Sequence, residues 1–135
     1  MLKLSKKAEY ALMAARYMAL NNSGHYSTAK EISDNYQIPF QLVAKVLQNF
    51  AKKNLAISSQ GAKGGYRLNK SPDDISLNDI ITAVENKYKL TKCMQDELND
   101  DNCIHLDCCK IRDPLIGIQM KIDNVFQKTS LKQIL

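Results

Sequence analysis

Tryptophan is absent, and glycine and proline are scarce, at five and three residues in 135. Collagen-like and low-complexity chains need far more of both, and a sandwich of many short strands needs more turn residues than this. The chain also lacks a long apolar run. The longest candidate, Ala8 to Leu20, is interrupted by Glu9 and Arg16, whereas a membrane span needs about 20 nearly uninterrupted apolar residues. The start, Met1-Leu2-Lys3-Leu4-Ser5-Lys6-Lys7, has no apolar stretch followed by a small-residue cleavage site, so a secretory signal is not expected and the cytoplasm is the expected location. The two histidines, His25 and His105, stand in no nucleophile–base pattern, and no catalytic carboxylate pair stands out. An enzyme is therefore not expected.

Cysteine is missing from most of the chain. All four thiols, Cys93, Cys103, Cys108 and Cys109, fall in one short stretch. A disulfide framework would spread its cysteines to staple distant segments, so a tight cluster reads as a metal or redox site. Zinc is one candidate metal. Structural zinc sites commonly use C-x₂₋₄-C spacing, and only Cys103 and Cys108 meet it, at its upper limit.

Charge is unevenly placed. Residues 1–70 hold 11 Lys/Arg against 3 Asp/Glu, whereas residues 71–135 hold 8 against 11. The whole chain carries +5. A basic first half suggests a surface that meets a polyanion. Solvated lysines on exposed helix faces would give the same count.

Apolar residues recur at spacings of three and four from Leu4 to Ala19, predicting a first helix over residues 5–20 with Ser5 as N-cap. Thr28 and Glu31 have the spacing of a capping box and open a short second helix. After a turn at Gln37-Ile38-Pro39, a third helix is expected over residues 39–53, with Pro39 in its first turn and Leu42, Val43, Val46, Leu47 and Phe50 facing inward. Its other face carries Gln41, Lys45, Gln48, Asn49 and Lys52, side chains able to bond base edges or phosphates. Two short helices joined by a tight turn make a helix-turn-helix. Two strand-like runs, residues 55–60 and 66–69, flank the glycine-dense turn Gly61-Ala62-Lys63-Gly64-Gly65 and form a wing. No strand–loop–helix unit surrounds that turn, which excludes a nucleotide-phosphate loop. Ser71-Pro72-Asp73-Asp74 is a turn, and Ser76-Leu77-Asn78-Asp79 caps a fourth helix through about Glu85, with Leu77, Ile80, Ile81 and Val84 on its apolar side.

The last helix, residues 111–128, spaces Ile111, Leu115, Ile118, Ile122 and Val125 in a seven-residue repeat, the pattern that packs one long helix against another. This predicts a dimerisation helix, with packing against the chain's own first helix as the alternative. The expected fold class is mainly α with a small β wing. Residues 1–85 form the winged helix-turn-helix, 86–110 a cysteine-bearing sensor loop, and 111–135 the dimerisation helix and tail. Thr28, Pro39, Gln41, Leu42, Lys45, Gln60, Lys63 and Gly64 are the expected DNA-contacting residues.

The sequence resembles the bacterial winged-helix regulators that include IscR, NsrR and CymR. The resemblance spans nearly the whole chain. It is carried by Leu4-Ser5-Lys6-Lys7-Ala8-Glu9-Tyr10-Ala11-Leu12, by Ile38-Pro39, and above all by the wing from Ser58 to Leu68. Pro72-Asp73-Asp74-Ile75-Ser76-Leu77, Ala83-Val84-Glu85, Cys109-Lys110-Ile111-Arg112 and Thr129-Ser130-Leu131 add to it. The resemblance implies a cytoplasmic homodimer, typically a repressor, on a roughly palindromic double-stranded DNA operator. It also implies an iron–sulfur cluster, 2Fe–2S or 4Fe–4S, held by three cysteines on the loop before the last helix. Cys93, Cys103 and Cys109 are the matching residues, with Cys108 as alternate, although nine residues separate the first two. A fourth ligand in some members is an acidic residue of the partner's first helix, which places Glu9 there; His105 competes for that position. Other members carry no cluster and respond through a protein partner, and a thiol switch is a further alternative.

Overall fold

The computed structural model describes residues 3–21, 24–85 and 110–135. Five α-helices and one β-hairpin occur among the described residues. Helix α1 is Lys6–Leu20, α2 Ala29–Tyr36 and α3 Phe40–Lys52. The hairpin pairs β1, Ala56–Ser59, with β2, Gly65–Leu68. Helices α4, Leu77–Val84, and α5, Arg112–Lys128, complete the set, with single 3-10 turns at Pro72–Asp74 and Leu131–Ile134. This is the mainly helical, winged architecture expected from the sequence.

The helix starts follow side-chain chemistry. Ser5 Oγ accepts from the Ala8 N–H at 3.1 Å, and Thr28 Oγ1 accepts from the Glu31 N–H at 3.1 Å. Ser76 and Asp79 form a complete capping box on α4. The box expected at α2 is only half made, because the Glu31 carboxylate turns to His25 Nε2, 3.1 Å away. Pro39 is the N-cap of α3 rather than a residue of its first turn.

Helices α1, α3 and α4 pack on one another around a single core. Met18, Ile32, Leu47, Phe50, Ile75 and Ile80 are sealed within it. The small residues Ala8, Ala11, Ala14 and Ala15 form the buried side of α1 and let neighbouring helices approach closely. Leu42, expected inward with this stripe, is instead 45% exposed. Val43, Val46, Leu47 and Phe50 already fill the inward positions. Leu42 lies about 90° from the middle of that arc on a helix of 3.6 residues per turn.

The C-terminal residues return to this core. Leu131 is fully buried, its N–H donates to the Ile75 carbonyl at 2.8 Å, and the Leu77 N–H donates to the Thr129 carbonyl at 2.9 Å. Arg16 Nε donates to the Ile134 carbonyl. Ahead of these anchors, α5 packs along α4, and Asn78 Nδ2 donates to Gln127 Oε1 at 2.9 Å.

Candidate nucleic-acid interface

The turn between α2 and α3 is fixed by one serine. The Ser33 carbonyl accepts from the Gln37 and Ile38 N–H groups, and Ser33 Oγ donates to the Ile38 carbonyl at 2.6 Å. Gln37 has φ 55°, in the left-handed region that glycine usually occupies at a helix C-terminus. The buried Ile38 side chain then pins the turn to the core.

This turn presents α3 with Gln41, Lys45, Gln48 and Lys52 exposed and Asn49 half-buried. Pro39 and Phe40 are exposed at its start. Thr28 is half-buried, with its hydroxyl accepting in the α2 cap. A recess of about 80 Å³ opens between α1 and α3, lined by Lys7, Tyr10, Leu42, Lys45, Val46 and Asn49. Sequence reasoning missed this recess, since it depends on two helices meeting; the spare apolar position at Leu42 was its available signal.

The wing is joined to the helix-turn-helix through Ser27. The Ser27 and Tyr66 backbones exchange two hydrogen bonds of 2.8 Å, adding a single bridge on the outer side of β2. Gly65, at φ 144°, permits this approach: a Cβ there would lie 2.6 Å from the Ser27 carbonyl oxygen. At Gly64 a Cβ would lie 2.3 Å from the Ser59 carbonyl oxygen. The hairpin therefore accounts for Gly64 without any DNA contact. Arg67 stacks over Tyr26, its guanidinium 5.1 Å from the ring centroid. Gln60 and Lys63 stand exposed at the wing tip.

Behind this surface, burial raises the Tyr17 hydroxyl above its ordinary pKa, with Glu31 and Tyr36 adding to the effect. Tyr17 and Tyr36 meet edge to face, with ring centroids 6.1 Å apart.

Of the expected cluster ligands, only Glu9 lies among the described residues. Cys93, Cys103, Cys108, Cys109 and His105 lie outside them. Glu9 sits in the first turn of α1, where its carboxylate meets Lys6 Nζ at 3.0 Å and holds that amine above its usual pKa. Both side chains are open to solvent, so this pair holds Glu9 weakly. Ser5 Oγ donates to the Glu85 carboxylate, which ties the end of α4 to the start of α1, one turn from Glu9. No group of three or more His, Cys, Asp or Glu able to hold a metal occurs among the described residues.

The long helix α5 leaves Ile111, Ile118 and Val125 exposed at 63%, 46% and 61%, spaced seven residues apart, with Leu115 and Ile122 half-buried beside them. No helix among the described residues is long and apolar enough to cross a membrane.

Residues 4–135 match the Rrf2 family, described as iron-dependent transcriptional regulators. The chain is 28% identical over 111 residues to the HTH-type transcriptional regulator NsrR of Shouchella clausii, covering 82% of this chain and 73% of that protein. It is 32% identical over 92 residues to IscR of Aliivibrio salmonicida, covering 68% and 55%. Among solved structures it is similar to CymR, the global cysteine regulator of B. subtilis, with TM-score 0.77 and 25% identity over 99% of this chain and 96% of that one. A winged helix-turn-helix, an exposed polar and cationic third helix and a family match over nearly the full length agree: the chain belongs to the Rrf2 family of transcriptional regulators and is not an enzyme.

Proposed function

We propose that this regulator is a homodimer that reads a palindromic operator with α3 and the wing, and that an iron–sulfur cluster controls the reading. The observation that carries the DNA-reading role is the exposed face of α3, where Gln41, Lys45, Gln48 and Lys52 stand clear of the core. In this reading residues 1–85 are the DNA reader, 86–110 the sensor and 111–135 the dimer helix and tail. The protein works in the cytoplasm as a repressor.

Cys93, Cys103 and Cys109 would hold the cluster, with Cys108 as a substitute thiolate. Glu9 of the partner subunit, or His105, would supply the fourth donor. The donor set suits the group: iron–sulfur clusters take thiolates, and a carboxylate paired, among the described residues, with an exposed lysine is free to leave that partner. When bound, the cluster supplies a centre that reacts with oxidants or nitric oxide. The chain's own contribution is mechanical. The Ser5–Glu85 contact ties the entrance of the sensor segment to the start of α1, and α1 packs against α3. Any rearrangement of that entrance therefore bears on the reading helix.

Anaerobic purification tests this. A brown protein with broad visible absorption, lost in Cys103→Ala with helix content kept, supports the cluster. Loss in Cys108→Ala but not in Cys109→Ala would reverse those two assignments. A second reading draws on the similarity to CymR and on the adjacent thiols Cys108 and Cys109. It is a cluster-free regulator governed by a thiol switch or a protein partner. That protein would be colourless, and under the thiol switch its operator affinity would follow reductant alone.

A further inference from the structure

The recess between α1 and α3 has an unusual make-up for a surface meant to meet a polyanion. Its lining is almost wholly apolar, shared by Tyr10, Leu42, Val46, Asn49 and the side chains of Lys7 and Lys45, one lysine from each helix. Leu42 is nearly half exposed, as is Phe40 before it, whereas Val43, Val46 and Leu47 are buried. Neither lysine has an ion-pair partner among the described residues. At about 80 Å³ the recess has room for two or three groups of water or methyl size, too few for a drug-sized ligand.

One feature of duplex DNA has this combination. The 5-methyl group of thymine is the major groove's apolar marker. It projects from the side of the base nearest its own sugar–phosphate backbone, so an apolar knob and an anion lie close together. A reading helix that offers an apolar recess beside a lysine from a neighbouring helix matches both. We propose that the recess is a thymine-methyl reader: Leu42 and Val46 take the methyl, and Lys7 neutralises the adjoining phosphate. Lys45, a turn further along α3, is left to bond a base edge. This inference rests on the DNA-reading role proposed for α3 and adds a specificity to it, namely one thymine fixed in each half-site by its methyl group.

The test begins by selecting half-sites from random duplexes with the full chain, then replacing each selected thymine by deoxyuridine, which removes only the methyl. One position per half-site is expected to weaken wild-type binding about fourfold, the worth of burying a single methyl. Leu42→Ala, a surface substitution whose fold is checked by circular dichroism, should bind the thymine and deoxyuridine duplexes alike. Lys7→Ala should weaken both equally and lower the salt dependence by about one phosphate contact. Enriched half-sites that show no methyl sensitivity, or whose sensitivity survives in Leu42→Ala, overturn the proposal while leaving DNA reading intact. Failure to enrich any sequence overturns both.

Discussion

Gln41 and Lys45 lie one turn apart on α3 and both face solvent, so they are placed to make different kinds of contact from Lys63 at the wing tip. If Lys45 bonds a base, Lys45→Ala will weaken binding by about 1–3 kcal/mol on the preferred operator and by less on unrelated DNA. Lys63→Ala will weaken all duplexes about equally and flatten the salt dependence. Titrations over a range of salt separate the two. Uniform losses in both variants would remove Lys45 from base reading. Gly65 makes a sharper prediction, because any side chain there meets the Ser27 backbone and must also adopt φ 144°. Gly65→Ala is expected to destabilise the chain by roughly 2 kcal/mol or more. Urea unfolding no different from wild type would show that the wing can dock without the Ser27 bridge.

At the scale of elements, Gln37 occupies a left-handed position that costs a non-glycine residue about 1 kcal/mol. Gln37→Gly should raise stability by a few tenths to about 1 kcal/mol, the gain being reduced by the entropy of the unfolded glycine. A fall in thermal midpoint would mean that the Gln37 side chain contributes something its exposed position hides. The helices themselves were legible in the sequence, since Ser5, Thr28 and Ser76 cap where their hydroxyls predicted and the 3–4 spacing located the buried faces. The errors have local causes. Leu42 was grouped with an inward stripe that was already full, and hydrophobicity alone does not tell a core leucine from one reserved for a surface contact. Glu31 fits a capping box by spacing, but His25, brought near by the turn before α2, takes its carboxylate instead. The contacts from Ser27 to Tyr66 and from Ser5 to Glu85 join residues far apart in sequence, and no periodicity encodes them. Of the candidate site, the α3 face was readable by period and the wing by its glycines, whereas the recess needed the packing of α1 against α3.

For the molecule as a whole, α5 is the element with an unfinished surface. Its 17 residues span about 26 Å, and Ile111, Ile118 and Val125 repeat along it without cover from the chain's own core. A two-fold pairing of this helix with its copy would bury that row, and two-fold helix-turn-helix proteins read half-sites about one DNA turn, roughly 34 Å, apart. Ile118→Asp places a charge at the middle of the row. The expected result is a folded monomer in analytical ultracentrifugation that no longer binds operator. A dimer of wild-type affinity would show that the subunits meet elsewhere.

The return of residues 129–135 to the core bears on the order in which the protein assembles. Arg16 bonds a carbonyl 118 positions away, and Leu131 sits sealed beside residues of the winged helix-turn-helix. Closing so long a loop is slow compared with forming the local helices, so the expectation is that the helix-turn-helix forms before the far end seals it. A fragment ending at Lys128 would leave open the place that Leu131 fills and expose the apolar groups around it. Truncation at Lys128 is therefore expected to weaken the winged helix-turn-helix itself, because the final turn completes its core.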